Sequence, residues 1–202
     1  MSIQIIDCDQ GSAEWHQARL GIPTTSRFAD ILAKGEGKTR RAYMRQLAAE
    51  IITGERGEEF TSQAMERGKV MEADARLLYR FVADIELQRV GFIRNGPVGW
   101  SPDSLLGDKG ALEIKTQRAD LLIETILKDE FPPEHRAQCQ GGLWVGERDW
   151  IELCIYWPKM PLFVKKVYRD DVFIKMLSSE VDRFLAELHD LVARIQKYGM
   201  AA

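Results

Sequence analysis

Trp100-Ser101-Pro102-Asp103-Ser104-Leu105-Leu106-Gly107-Asp108-Lys109-Gly110-Ala111-Leu112-Glu113-Ile114-Lys115-Thr116 is the stretch on which the reading of this chain turns. Two short apolar segments flank Gly107-Asp108-Lys109-Gly110, a cluster of turn formers, so the spacing predicts a chain reversal that carries Asp103 back beside Glu113. In the second segment side chains alternate, with Leu112 and Ile114 on one face and Glu113 and Lys115 on the other. Two carboxylates converging beside an apolar face repel each other unless a cation lies between them. Oxygen-only ligands suit a hard divalent ion such as magnesium, which keeps several waters. A protonated Lys115 is no ligand, but its point charge can hold a water or steady charge that develops on a phosphate. The pattern points to metal-dependent phosphodiester chemistry. Its alternative is a solvated strand face with a weak Glu113–Lys115 surface pair, an ordinary feature of a chain that is 29% charged.

At 202 residues the chain can bury one substantial core, and a single domain over residues 1–202 is expected. Its 45% hydrophobic content is that of a globular protein. It contains no run of about 18 apolar residues that could span a membrane, and no basic-then-apolar opening, so no secretory leader is expected. Cys8, Cys139 and Cys154 are scattered and odd in number, which fits a reducing cytoplasm and small buried hydrophobes rather than a disulfide framework. His16, His135 and His189 lack metal-binding spacing, which argues against zinc.

The net charge of −3 is unevenly spread. From Arg19 to Arg45 there are seven cations (Arg19, Arg27, Lys34, Lys38, Arg40, Arg41, Arg45) against Asp30 and Glu36, a local excess of five that leaves the rest at −8. Either this is a phosphate-contacting surface on an acidic body or it is a solvated helix face.

In chain order, Ile3 to Ile6 reads as a first strand, and Asp9 or Ser12 caps a helix through Trp15 that ends near Gly21. Thr24-Thr25-Ser26 opens a second helix with Phe28, Ile31 and Leu32 buried, and hydroxyls at a helix start can receive an anion or merely cap it. Lys34 to Lys38 reads as a substrate-touching loop. A helix over about 39–53 follows, with Met44, Leu47, Ala48 and Ile51 on its buried stripe and arginines outward; the next, over about 62–83, buries Met71, Ala75, Leu78 and Val82. On the latter, Glu72 is either paired with Arg76 on the surface or a third carboxylate for the metal. A strand is predicted over 86–93, then a turn at Asn95-Gly96 and the central hairpin, then helices over about 117–128 and from Pro133. Strands over 150–157 and 162–168 and a long helix capped by Asp170 or Asp171 complete an α/β order around a central mixed β-sheet flanked by α-helices. That last helix is expected to bury Leu177, Val181, Phe184, Leu188, Leu191 and Ile195.

Four of these segments resemble motifs of the lambda exonuclease, or YqaJ-type, viral recombination nucleases, a family with the PD-(D/E)xK (restriction-endonuclease-like) core. Trp15-His16-Gln17-Ala18-Arg19-Leu20-Gly21-Ile22-Pro23-Thr24-Thr25-Ser26 is similar to their W-x-x-x-R-x-G-x-x-T-x-S opening, and Gly68 to Arg76 to their G-x-x-x-E-x-x-A helix. Ser101-Pro102-Asp103 with Leu112-Glu113-Ile114-Lys115 is similar to their catalytic core, and Ala137-Gln138-Cys139-Gln140 through Trp144-Val145 to their A-Q-x-Q-x-x-x-W-V helix. The resemblance implies a phage or prophage enzyme acting in the cytoplasm of a bacterial host. It implies a Mg2+-dependent exonuclease, Mn2+ being a substitute, that digests one strand of linear duplex DNA from 5′ to 3′ and leaves 3′ single-stranded overhangs for strand annealing. By matching position, Asp103, Glu113, Glu72 and the Ile114 carbonyl would bind metal, and Lys115 would position the attacking water. Arg19, Ser26 and Ser101 would hold the 5′-phosphate and Gln138 would support the site, beside a basic surface of Lys34, Lys38, Arg40, Arg41 and Arg45. Family members are ring-shaped homotrimers that work with a single-strand annealing protein. Ser104 stands where the family often has Gly, the 34–38 loop is short, and three dispersed cysteines do not match the branch with an iron–sulfur cluster. The competing activities are a restriction-type or structure-specific endonuclease on the same core, and a non-catalytic DNA-end-binding protein.

Overall fold

The central reversal closes as an antiparallel pair in the computed structural model, which describes residues 3–33, 37–57 and 63–199. Strands β1 (Gln4–Ile6), β2 (Phe92–Asn95) and β3 (Val98–Trp100) form one antiparallel sheet. Strands β4 (Ser104–Leu106), β5 (Gly110–Thr116), β6 (Trp150–Tyr156) and β7 (Phe163–Tyr168) form a mixed sheet in that order, with Ser104 opposite Leu112. Gly107, at φ +56°, supplies the left-handed turn between β4 and β5. β5 and β6 are parallel, a pairing that needs a long crossover; helices α5 (Ala119–Lys128) and α6 (Arg136–Val145) provide it. The other helices are α1 (Ala13–Arg19), α2 (Phe28–Ile31), α3 (Lys38–Thr53), α4 (Gln63–Ala83) and α7 (Asp171–Gln196).

Alternation along the mixed sheet sorts its side chains into two cores. Leu105, Ala111, Ile151, Leu153 and Ile155 join the larger one, with Leu47 of α3, Leu143 of α6 and Leu177, Val181 and Phe184 of α7. Leu106, Leu112, Ile114 and Cys154 face the other way, onto Ala75 and Tyr79 of α4. Glu113 shares parity with Ala111, so it projects toward α6 from a strand buried on both faces. Two short segments cross between the sheets, one around Val90-Gly91 and one at Ser101-Pro102-Asp103. The Gln10 amide ties them together by donating to the Val90 and Pro102 carbonyls at 3.1 and 2.8 Å.

Several local expectations are redrawn. The strand predicted over 86–93 begins only at Phe92; before it, Gln88 makes an isolated bridge to Leu105 of the other sheet. Gly91 lies where the chain changes sheets, and a Cβ there would sit 2.3 Å from the Cys8 carbonyl oxygen. The helix expected from Thr24 is a 3-10 turn, Thr25–Arg27, followed by the single turn of α2, too short to build a macrodipole. On α4 the buried residues among those described are Ala75 and Tyr79, which pack against the sheet, while Val82 is 66% exposed. Ile51 on α3 and Ile195 on α7 are exposed rather than buried. Lys34 and the rest of its loop through Glu36, and the expected α4 start at Ser62, lie outside the described residues.

Gly99 on β3 has no room for a side chain, since a Cβ would lie 1.9 Å from Cζ of the fully buried Phe92. We expect Gly99→Ala to destabilise the fold by about 1–3 kcal/mol, the usual cost of overpacking, read as a lower urea midpoint at unchanged m-value.

Candidate active site

The β4–β5 register places Asp103 beside Glu113, and Asp103 Oδ2 accepts a 2.5 Å hydrogen bond from the Ile114 amide. Glu113 is 3% exposed. Its Oε1 accepts from Lys115 Nζ at 2.7 Å and from Gln138 Nε2 of α6 at 2.5 Å, while its buried Oε2 has no partner among the described residues. Burial, then the charges of Glu113 and Glu72, push the Asp103 carboxyl well above the usual carboxylate range. Burial pulls the Lys115 ammonium down, but the charge and hydrogen bond of Glu113, with Asp103, lift it above its ordinary value, so it stays a cation. The sequence left open whether Glu113 and Lys115 form a solvated surface pair; here Glu113 is buried and Lys115 half-buried beside it.

This centre suits a hard cation. The buried Glu113 and the half-buried Asp103 crowd each other, and among the described residues one of their oxygens lacks a donor, a deficit that a divalent ion bound through oxygen and water would fill. Among the described residues no three His, Cys, Asp or Glu side chains are gathered into one ligand shell. Glu72 is near enough for its charge to act on Asp103, yet its Oε1 is bonded to Arg76 Nη2. Glu72 thus pairs with Arg76 while its charge reaches Asp103. His135, which sequence reasoning assigned no role, is near Lys115; burial, then that ammonium, hold its pKa below the ordinary histidine value.

Glu72 also opens onto a cavity of about 970 Å³ that is lined by Arg19, Ser26, Arg27, Arg76 and Arg89. Arg19 Nη1 donates to Ser101 Oγ at 3.0 Å, and its guanidinium lies over the Trp15 ring at 4.1 Å. Ser26 Oγ lies 3.3 Å from Thr24 Oγ1 on the same wall. The structure therefore brings together Arg19 and Ser101 with Ser26 on one side, and Asp103, Glu113, Lys115 and Gln138 on the other, with Glu72 between.

The basic stretch is only partly outward. Arg27 pairs with Asp30 and lies over Tyr43. Arg40, expected on the DNA-facing surface, instead reaches across to α7, where it grips both oxygens of Glu187 at 2.5 and 3.0 Å and covers Phe184. Lys38, Arg41 and Arg45 are exposed on α3. Arg89 and the chemistry of Trp15 were not singled out in the sequence, although the four-residue step from Trp15 to Arg19 is a legible helical pairing signal.

The fold and this site define an α/β nuclease of the PD-(D/E)xK class. The model of the YqaJ-like viral recombinase domain matches residues 14–149, and the chain belongs to that family. Among solved structures, an alkaline exonuclease (LHK-Exo) from Laribacter hongkongensis is 32% identical, with a TM-score of 0.85 over 92% of this chain and 97% of that one. LHK-Exo in complex with dAMP is 34% identical, with a TM-score of 0.86 over the same shares. A phage-related exonuclease from Haemophilus somnus 129PT shares the fold, with 14% identity and a TM-score of 0.67 over 86% of this chain and 96% of that one. None of the curated proteins compared with it matches the chain. Among the described residues no helix is long and apolar enough to cross a membrane.

Proposed function

We propose that the chain, as one nuclease domain, is a magnesium-dependent exonuclease that digests one strand of linear duplex DNA from a 5′-phosphorylated end. The product would carry 3′ single-stranded overhangs, the substrate of a single-strand annealing partner in a bacterial cytoplasm. The observation that carries this reading is the buried Asp103–Glu113 centre, with its donor-less Glu113 Oε2, next to a cation-lined cavity that reaches Arg19. Asp103, Glu113 and the Ile114 carbonyl would hold a divalent ion, with Glu72 serving it directly or through its waters; when bound, the ion would supply a nucleophile at neutral pH and neutralise phosphate charge.

The chain's own residues do the rest. Lys115 stays protonated beside Glu113 and orients the attacking water while offsetting charge on the phosphate. Gln138 fixes the Glu113 carboxylate so that its other oxygen faces inward. Arg19, Ser26 and Ser101 grip the terminal phosphate, and that grip sets which bond lies at the centre. Lys38, Arg41 and Arg45 contact the duplex backbone. A homotrimeric ring is supported by an exposed apolar stripe on α4: Val70, Leu77 and Phe81 are 69%, 66% and 84% exposed at steps of seven and four.

The test uses 5′-phosphorylated, 5′-hydroxyl and closed circular duplexes, each with and without magnesium. We expect release of 5′ label from phosphorylated linear DNA in magnesium, slower release from hydroxyl ends, and intact circles. Cut circles would identify an endonuclease, and linear DNA left intact in magnesium a non-catalytic end binder.

A further inference from the structure

We propose that Trp15 is a positioning residue of the 5′-phosphate site, its indole N–H acting with Arg19 to turn the Ser101 hydroxyl into a dedicated donor toward the phosphate. This rests on the proposed reading of Arg19, Ser26 and Ser101 as that site. Trp15 Nε1 donates to Ser101 Oγ at 2.8 Å and Arg19 Nη1 donates to the same oxygen at 3.0 Å. An indole N–H and a guanidinium have nothing to accept with, whereas a serine hydroxyl has one proton and two lone pairs. Both lone pairs are therefore occupied, and the hydroxyl proton must point away from Trp15 and Arg19. Among the described residues Ser101 Oγ makes these two hydrogen bonds and no other, so no protein acceptor competes for that proton.

The occupant that completes the arrangement is an oxygen that only accepts. A terminal phosphate monoester offers several, all anionic, whereas a 5′-hydroxyl offers one neutral oxygen with a proton of its own. Two donors on Oγ also polarise its O–H bond, which strengthens what it can give to an anion. Trp15 is itself held firmly: its backbone amide donates to the Ser12 cap at 3.2 Å, and its indole N–H also reaches the Gly91 carbonyl at 3.2 Å. The Arg19 guanidinium has the Trp15 ring at 4.1 Å and the Phe92 ring at 5.8 Å. The ring thus sets the plane of one phosphate donor and its N–H sets the direction of the other.

Trp15→Phe separates these roles, because it keeps an aromatic face for Arg19 and deletes the N–H. Initial rates on 5′-phosphorylated and 5′-hydroxyl linear duplex give the preference as a ratio of kcat/KM. We expect Trp15→Phe to lower that ratio roughly threefold to tenfold, part of the worth of one hydrogen bond to a charged group, with the loss in KM rather than kcat. Ser101→Ala should lower it at least as much, and the double variant little further, since both changes act on one contact. A wild-type ratio near one would overturn the phosphate pocket and this inference with it. A wild-type preference that Ser101→Ala reduces and folded Trp15→Phe leaves whole overturns the inference alone. Should Trp15→Phe not fold, a ratio unchanged in Ser101→Ala overturns it.

Discussion

Lys115→Ala is expected to lower kcat by between about a hundredfold and a thousandfold, the range seen when one preorganised donor to a developing charge is removed. The ammonium is 2.7 Å from Glu113 and is kept protonated by that carboxylate, so it is a fixed positive charge at the centre. It makes no contact with Arg19, Ser26 or Ser101, so KM for phosphorylated ends should move little. The loss belongs to an interaction stronger in the transition state than in the ground state. There is also a structural consequence, because Glu113 keeps only Gln138 as a donor in the variant. The metal-free variant should therefore melt below the wild type, and magnesium should raise its midpoint. A kcat within threefold of wild type, in a variant whose circular dichroism is unchanged, would remove Lys115 from the chemistry.

Asp103→Asn should abolish cleavage and yet raise the melting temperature of the metal-free protein. Burial, then the charges of Glu113 and Glu72, disfavour the ionised Asp103, and the amide of asparagine carries no such charge while keeping an oxygen for the Ile114 amide. The sign follows from linkage. A carboxyl whose folded-state pKa is raised binds its proton more tightly in the fold, so folding is penalised above the folded pKa. The penalty is relieved as pH falls from there toward the unfolded value near 4. The variant's advantage should thus be largest at neutral pH and shrink on acidification. Each kcal/mol relieved corresponds to roughly 2–4 °C in a chain of this size. Magnesium should raise the midpoint of the wild type and leave the variant where it is, since a ligand stabilises only the state that binds it. A variant that melts below wild type at pH 7 without metal would show that burial and the neighbouring carboxylates put no such pressure on Asp103. Such opposition of activity and stability is what a site built from crowded carboxylates produces.

The centre was legible because its determinants are local. A turn cluster, strand alternation and a proline before Asp103 put two carboxylates and a lysine within 13 residues of chain, and the β4–β5 register keeps them together. Where the sequence misled, the deciding partner was distant. Helical spacing assigned Val82 to the buried face of α4, but the sheet surface selects Ala75 and Tyr79, and Tyr79 OH donates to Glu152 at 2.5 Å. The arginines of α3 read as one basic face until Glu187, 147 residues from Arg40, draws that side chain onto α7. The short 3-10 turn at Thr25–Arg27 was hidden for the same reason. The Thr24 amide, which an extended helix start would leave for an anion, donates to the Tyr43 hydroxyl at 3.1 Å.

By itself the sequence determined the order of elements, the hairpin that pairs its carboxylates and the helical step that stacks Trp15 under Arg19. Each depends on residues a few positions apart, where backbone periodicity fixes who faces whom. Only the tertiary structure decided that Glu113 is buried against Gln138, that Ser101 accepts from Trp15 across 86 residues, and that Glu72 lies between the acidic centre and the cationic cavity. Those contacts join elements far apart in the chain, α6 to β5, α1 to the Ser101 segment and α4 to the cavity wall, and close packing there admits one arrangement that no local propensity encodes.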